Sequence, residues 1–244
     1  MDVAILYSGG KDSTYAIHEV LKKGWNIKYL ISIKPTRTDC YLFHYATIEH
    51  TKTLARILGY KHVYETCNVA DPKKEAEIVK KIVEKSPVDA IVLGGTGLQQ
   101  TQIKSIQEVL SHLKVGAFAM HDSLDHDGLV RQMIEDGYRI IITQIAAEGL
   151  TEEWLGKEIT KENAEKLFNL SRKYGFHCGG EGGHFDSLVI DGPIFKRSLE
   201  ILSAERIMES ECVGHLILKK IRVKTKPIEH SKKIYNSQCT LTKD

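Results

Sequence analysis

Cysteine is scarce in this 244-residue chain and unpatterned: Cys40, Cys67, Cys178, Cys212 and Cys239 are scattered, with no C-x-x-C pair among them. A zinc ribbon and an iron–sulfur centre are therefore not expected, and the odd, scattered set reads as reduced thiols in a reducing compartment. Nor does any apolar run approach the roughly 18 residues needed to span a bilayer. Met1-Asp2 lacks the basic stretch of a signal peptide and the first apolar run stops at Tyr7, so a cytoplasmic protein without membrane contact is expected. An excess of either charge is missing as well. With 34 Lys and Arg against 32 Asp and Glu, the net charge of +2 is too small for wholesale nucleic-acid binding. There is no internal repeat and no low-complexity segment. What remains is an ordinary globular composition, 42% hydrophobic and 27% charged, enough for one large or two small domains.

Against that plain background the first strand and turn stand out. Val3-Ala4-Ile5-Leu6-Tyr7 runs straight into Ser8-Gly9-Gly10-Lys11-Asp12-Ser13, and a helical pattern follows at Tyr15, Ile17, Val20 and Leu21. Strand, glycine turn and helix start in that order build an oxyanion cradle, because successive backbone N–H groups and the helix dipole point at one ligand. Gly9 and Gly10 let the backbone approach a phosphate with no Cβ in the way. Ser8 and Ser13 add hydroxyl donors, Lys11 positive charge, and Asp12 a carboxylate that can hold a hydrated metal ion. The segment predicts a nucleotide pyrophosphate site. It is neither a Walker A loop nor G-x-G-x-x-G, since neither spacing is present.

The first half alternates predicted strands (3–7, 27–33, 62–65, 90–93) with predicted amphipathic helices (14–23, 45–58, 73–84, 103–113). Gly24 and Gly59 fall where left-handed helix ends are expected. Such alternation predicts an α/β fold, a parallel sheet with helices on both faces, and ligands beyond the carboxyl ends of its strands. The turn Gly94-Gly95-Thr96-Gly97 falls at that same edge, which favours a place beside the nucleotide. Residues 1–122 are expected to form the nucleotide-binding domain, 123–226 a smaller α+β substrate domain, and 227–244 a basic tail.

In the second half, His121-Asp122-Ser123-Leu124-Asp125-His126-Asp127 has the composition of a metal site but no helical H-x-x-x-H frame. A loop entering a helix over 128–136, with Asp127 near its N-cap, explains it more simply. A strand over 139–145 and a helix over 161–174 ended by Gly175 follow. Then comes Gly179-Gly180-Glu181-Gly182-Gly183-His184-Phe185-Asp186-Ser187, ahead of a strand over 188–191. Glycines around one carboxylate indicate close backbone approach, and Glu181, His184 and Asp186 offer acid, base and metal-ligand chemistry, so a substrate-side site is expected here. Further strands are predicted within 194–202 and 213–221. The basic run from Lys219 to Lys233 reads as a solvated terminus, with contact to RNA or another acidic partner as its functional option; no interleaved aromatics indicate base stacking.

Ser8–Ser13 resembles the PP-loop of ATP pyrophosphatases, a branch of the adenine-nucleotide α-hydrolase (HUP) fold. The wider chain is similar to the diphthine–ammonia ligase family, through Tyr41-Leu42-Phe43-His44, Ala146-Ala147-Glu148-Gly149-Leu150, Glu153-Trp154-Leu155-Gly156, Lys173-Tyr174-Gly175 and Gly180-Glu181-Gly182-Gly183, in family order. Where the family reads Gly-Glu-Gly-Gly-Glu-Phe-Glu-Thr, this chain has His184, Asp186 and Ser187 in the last positions. The resemblance implies ATP and Mg²⁺, a substrate carboxylate activated as an acyl-adenylate with release of pyrophosphate, and amination by ammonia, the carboxylate being diphthine on elongation factor 2. It implies a pyrophosphate held by Ser8–Ser13 with Asp12 orienting the metal, an adenosine flanked by Phe43 and His44 near Gly94 and Gly95, and a substrate met by Gly180, Glu181, Gly182, Gly183 and Asp186. Lys11, Asp12, Glu181 and His184 are the expected catalytic residues, Glu181 positioning carboxylate or ammonium and His184 accepting a proton. Two other readings stay open: a PP-loop enzyme acting on another carboxylate or on RNA, for which Cys178 is the one suggestive thiol, and a nucleotide sensor without turnover.

Overall fold

The computed structural model describes residues 1–36, 48–95, 100–121 and 125–226. In chain order the elements are β1 (Asp2–Leu6), α1 (Lys11–Lys22), β2 (Asn26–Pro35), α2 (Thr51–Leu58), β3 (His62–Cys67), α3 (Pro72–Lys85), β4 (Ala90–Leu93), α4 (Gln100–Leu110) and β5 (Gly116–Ala119), followed by α5 (His126–Glu135), β6 (Arg139–Ala146), α6 (Lys161–Tyr174), β7 (Phe185–Asp191), β8 (Arg197–Met208) and β9 (Val213–Thr225).

The first sheet has the order β3-β2-β1-β4-β5 and every pairing in it is parallel. Both its faces are covered, which is why its strands read as nearly continuous apolar runs. Val3 and Ile5 point to one side, where Ala16, Ile17 and Val20 of α1 and Leu54 and Leu58 of α2 pack. Ala4, Ile31, Ile33 and Ile91 point to the other, against Val79 and Val83 of α3 and Ile106 and Leu110 of α4. This is the expected parallel sheet with helices on both faces. Successive connections move outward from β1 in opposite directions, so the turns after β1 and β4 lie side by side at the carboxyl edge, the position where open α/β sheets bind ligands.

The second sheet is antiparallel, in the order β7-β6-β9-β8. Ile140, Ile142 and Ile145 of β6, Phe168 of α6 and Leu188 of β7 belong to the same buried cluster as Val3 and Ile5, so one apolar core runs from the first sheet into the second. Two stretches that carry the family resemblance are part of this packing. Trp154 is wholly buried. Gly149, at φ +87°, lies against the Tyr174 ring, where a Cβ would overlap the ring carbons.

Several boundaries differ from the sequence expectation. β5 has no counterpart among the predicted strands: Gly-Ala-Phe-Ala has weak strand propensity and is held by pairing with β4. The helix expected from 128 begins at His126, because the cap is Asp125 rather than Asp127; Asp125 Oδ2 accepts the Gly128 amide at 2.8 Å. β7 starts three residues earlier than expected, at Phe185, inside the glycine-rich stretch. The basic run starting at Lys219 is not a loose terminus as far as Thr225 but strand β9, in which Lys219 pairs with Glu205 at 2.7 Å and Arg222 with Glu200 at 2.6 Å. Residues 227–244, Phe43 and His44, Thr96 to Gln99, and Asp122 to Leu124 lie outside the described residues. No helix among the described residues is long and apolar enough to cross a membrane.

Candidate active site

The turn after β1 is built as its residue types require. Gly9 takes φ +82°, a conformation that favours glycine, and Gly10 is the extended N-cap of α1. Ser13 Oγ accepts the Ser8 amide at 3.2 Å and lies 3.1 Å from Ser8 Oγ, so the two serines close the turn on itself. A glycine N-cap has no side-chain oxygen to offer, and α1 has no cap of its own. The Lys11 amide finds its acceptor 176 residues away, at Ser187 Oγ, 3.2 Å distant. Val189 donates its amide to the Gly9 carbonyl at 3.0 Å, so β7 runs directly along the turn.

The turn after β4 meets it from the other side. A Cβ on Gly94 would overlap the Asp12 carbonyl carbon and the Ser13 amide nitrogen and lie 2.8 Å from the Asp12 oxygen, so only glycine fits against the first turn of α1. Gly95 accepts the His121 amide at 3.2 Å, which ties the end of β5 to the same place. His121 is wholly buried, with Nε2 3.3 Å from the Asp12 carbonyl and its ring 5.4 Å from that of Tyr15. Burial holds its pKa below the usual histidine value, with the Asp12 carboxylate opposing.

Lys11 joins the first turn to the glycine-rich segment. Its side chain is 3% exposed. The ammonium donates to Asp12 Oδ2 at 2.7 Å and to the Gly179 carbonyl, and lies 5.7 Å from the centre of the Phe185 ring. Asp12 itself remains 26% exposed, at the mouth of the turn. The segment that receives Lys11 is folded tightly. Gly180, Gly182 and Gly183 take φ +77°, +81° and +82°. At Gly180 a Cβ would overlap the Phe185 carbonyl. Glu181 is buried at 8% exposure. His184 Nδ1 lies 2.8 Å from the Glu181 carbonyl and 3.1 Å from the His177 amide, so one ring nitrogen is occupied in holding the segment together. Asp186 stands on β7 opposite Gln144.

The expected residues Ser8 to Ser13, Gly94, Gly95 and Gly180 to Asp186 are thus assembled around one junction. Sequence reading missed His177, whose ring organises the glycine-rich segment, and it placed Ser187 on the substrate side although its hydroxyl caps α1. A single histidine beside a glycine run carries no periodic signal that would have singled it out. Cys178 is buried next to this junction, and its thiol is pushed up to about 12 by burial first and then by the Asp127 carboxylate, which accepts its hydrogen bond. Among the described residues no three His, Cys, Asp or Glu side chains gather as a metal cage.

The chain is similar to known proteins over most of its length. Residues 1–115 match the diphthamide synthase N-terminal domain and residues 125–223 the diphthamide synthase C-terminal domain. The diphthine–ammonia ligase of Mus musculus is 29% identical over 232 residues, covering 86% of this chain and 86% of that one. The Homo sapiens protein of the same name matches at 29% over the same length and coverage. That of Schizosaccharomyces pombe is 25% identical over 247 residues, covering 93% of this chain but 40% of its own, longer one.

Proposed function

This chain belongs to the diphthamide synthase family, and on that premise we propose that it is an ATP-dependent, AMP-forming amide ligase that joins ammonia to the carboxylate of diphthine on elongation factor 2. The observation that carries the reading is the junction at Lys11, where one buried ammonium touches both the turn suited to a pyrophosphate and the glycine-rich segment suited to a second substrate. A sensor that only bound nucleotide would have no need of the second segment.

In this reading the substrate carboxylate attacks the α-phosphorus of ATP in line, giving an acyl-adenylate and pyrophosphate, and ammonia then displaces AMP. Charge builds up on the departing pyrophosphate, and donors fixed in advance are what lower such a barrier. The Gly9, Asp12 and Ser13 amides and the Ser8 hydroxyl supply donors in this reading, the Lys11 amide being held by Ser187 Oγ and the Ser13 hydroxyl by the turn itself. Lys11 supplies the cation from a buried position, where its field is screened less than in water. The Asp12 carboxylate is a hard oxygen ligand at the mouth of the turn. One carboxylate suits Mg²⁺, which usually keeps its waters and takes its other ligands from phosphates. When bound there, the ion would neutralise phosphate charge. Phe43 and His44 are assigned to the adenosine, Gly94 and Gly95 to the turn beneath it, and Glu181 with Gly180, Gly182, Gly183 and Asp186 to the carboxylate and ammonium, His184 Nε2 being its atom for proton transfer. Residues 1–122 would then carry the nucleotide, 123–226 the acceptor and the basic 227–244 an acidic partner surface, in the cytoplasm.

Cys178 argues against RNA thiolation, because a thiol held protonated by burial and by Asp127 is a poor nucleophile at neutral pH. The deciding experiment incubates the purified chain with Mg-ATP and ammonium, with and without diphthine-bearing elongation factor 2, and quantifies AMP and pyrophosphate. AMP formation that depends on the modified factor is expected. ADP and phosphate as products would refute the reading, and AMP release that depends on RNA instead would replace it.

A further inference from the structure

The glycine-rich segment is held by two imidazoles in different ways. His177 Nδ1 accepts two backbone amides, Gly179 at 3.1 Å and Glu181 at 3.2 Å. A ring nitrogen that accepts from N–H groups carries no proton, so the hydrogen-bond network assigns His177 the neutral tautomer with its hydrogen on Nε2. His184 Nδ1 instead lies between a donor, the His177 amide, and an acceptor, the Glu181 carbonyl. His184 Nδ1 can therefore exchange one partner for the other according to its tautomer. His177 has no such exchange: a proton on its Nδ1 faces two N–H groups and breaks both bonds. Gly179 is thereby gripped from two sides, its amide by the His177 ring and its carbonyl by the Lys11 ammonium, while the Gly180 amide closes the turn on the His177 carbonyl at 2.9 Å.

We propose that His177 is a positioning residue for the reaction assigned above: its unprotonated Nδ1 fixes Gly179 and Glu181 where the two turns meet at Lys11, and protonating it takes that junction apart. The surroundings favour the neutral ring. Burial, the His126 ring 4.1 Å away on α5 and the Lys11 ammonium on α1 lower its pKa, while the Glu181 and Asp12 carboxylates oppose them. His184, which accepts the His177 amide, and Cys178, the next residue in the chain with Asp127 and Asp125 beside it, are further titratable groups nearby. The inference rests on the proposed reaction only for its catalytic consequence.

The test uses the full chain and three proteins: wild type, His177→Ala and His177→Asn. Asn Oδ1 replaces Nδ1 as an acceptor for amides two and four residues on, and it does not titrate. Nitrogen-15 NMR of the imidazoles should show His177 as the Nε2–H tautomer at pH 7.5. Protection of the Gly179 and Glu181 amides against exchange, corrected for intrinsic rates, should fall about ten-fold or more between pH 7.5 and 5.5 in wild type and stay level in His177→Asn. Diphthine-dependent AMP formation should fall on the acid side in wild type. His177→Ala should be slower by about ten-fold at pH 7.5. His177→Asn should recover most of that loss and show a shallower acid limb. An Nδ1–H tautomer, equal protection at both pH values, or an unchanged acid limb in His177→Asn would overturn the proposal. Absence of AMP formation in all three proteins would remove the ligase reading alone, with the tautomer and exchange measurements still deciding the role of His177.

Discussion

Residues 8–13 and residues 179–187 are both glycine-rich turns next to a strand, yet they are organised in opposite ways. The first is closed by its own neighbours, Ser8 with Ser13, and keeps its Asp12 carboxylate at the surface. The second turns its chemistry inward: Glu181 is buried, His184 holds backbone, the Gly179 carbonyl takes the Lys11 ammonium, and Ser187 caps the helix of the first turn. One keeps its carboxylate outward and the other folds its carboxylate inward, while each is shaped by its own neighbours and tied to distant residues, the Lys11 amide to Ser187 and the Gly179 carbonyl to Lys11. Local bonds shape each turn, and the contacts between distant residues set one turn against the other.

The largest expected effect comes from removing the side chain that both turns share. Lys11→Met should reduce AMP formation by about a hundred-fold or more while the protein remains folded by circular dichroism, since a fixed donor to developing charge typically contributes about two to three orders of magnitude. A loss of less than three-fold would break the link between the turns. Next, Gly180→Ala forces a side chain into the left-handed region and onto the Phe185 carbonyl. It should destabilise the protein by about 2–4 kcal/mol in urea unfolding; a value near zero would mean that the second turn is loose. Acidification should act more gradually. Burial lowers the pKa values of His18, His50, His62, His121 and His177 in the folded chain. Their contribution is complete above the unfolded value of about 6.5 and is lost as pH falls below it, because the unfolded chain then binds more protons. The thermal midpoint should be level from pH 8 to 7 and decline towards pH 5. Smallest is the helix cap: Ser187→Ala should cost about 1 kcal/mol by the same unfolding measurement, and Ser187→Thr much less, because the hydroxyl is kept.

How much of this could be read in advance differs between the two regions. The β1 run, the Ser8–Ser13 turn and the helix after it were legible because strand, turn and helix are adjacent and each residue type has a local reason to be there. Helix α6, Lys161–Tyr174, was legible end to end, with a Thr160 cap and a Gly175 stop at φ +75°. β5 was not, because Gly-Ala-Phe-Ala becomes a strand only through its pairing with β4. The early start of β7 was hidden by the glycines before it. The paired lysine and arginine of β9 read as a solvated run because Glu200 and Glu205 are distant in sequence and come alongside only through the pairing of β8 with β9.

The sequence by itself determined that a parallel α/β sheet carries a glycine turn and helix start after its N-terminal strand, since hydrophobic periodicity and the backbone freedom of glycine are properties of neighbouring residues. Tertiary structure alone decided what surrounds that turn. Its helix is capped by Ser187, its lysine is held by Gly179 and its floor is Gly94. Each of these is a hydrogen bond or a close approach between residues far apart in the chain, and such contacts form only when burial of the shared core brings the two sheets together.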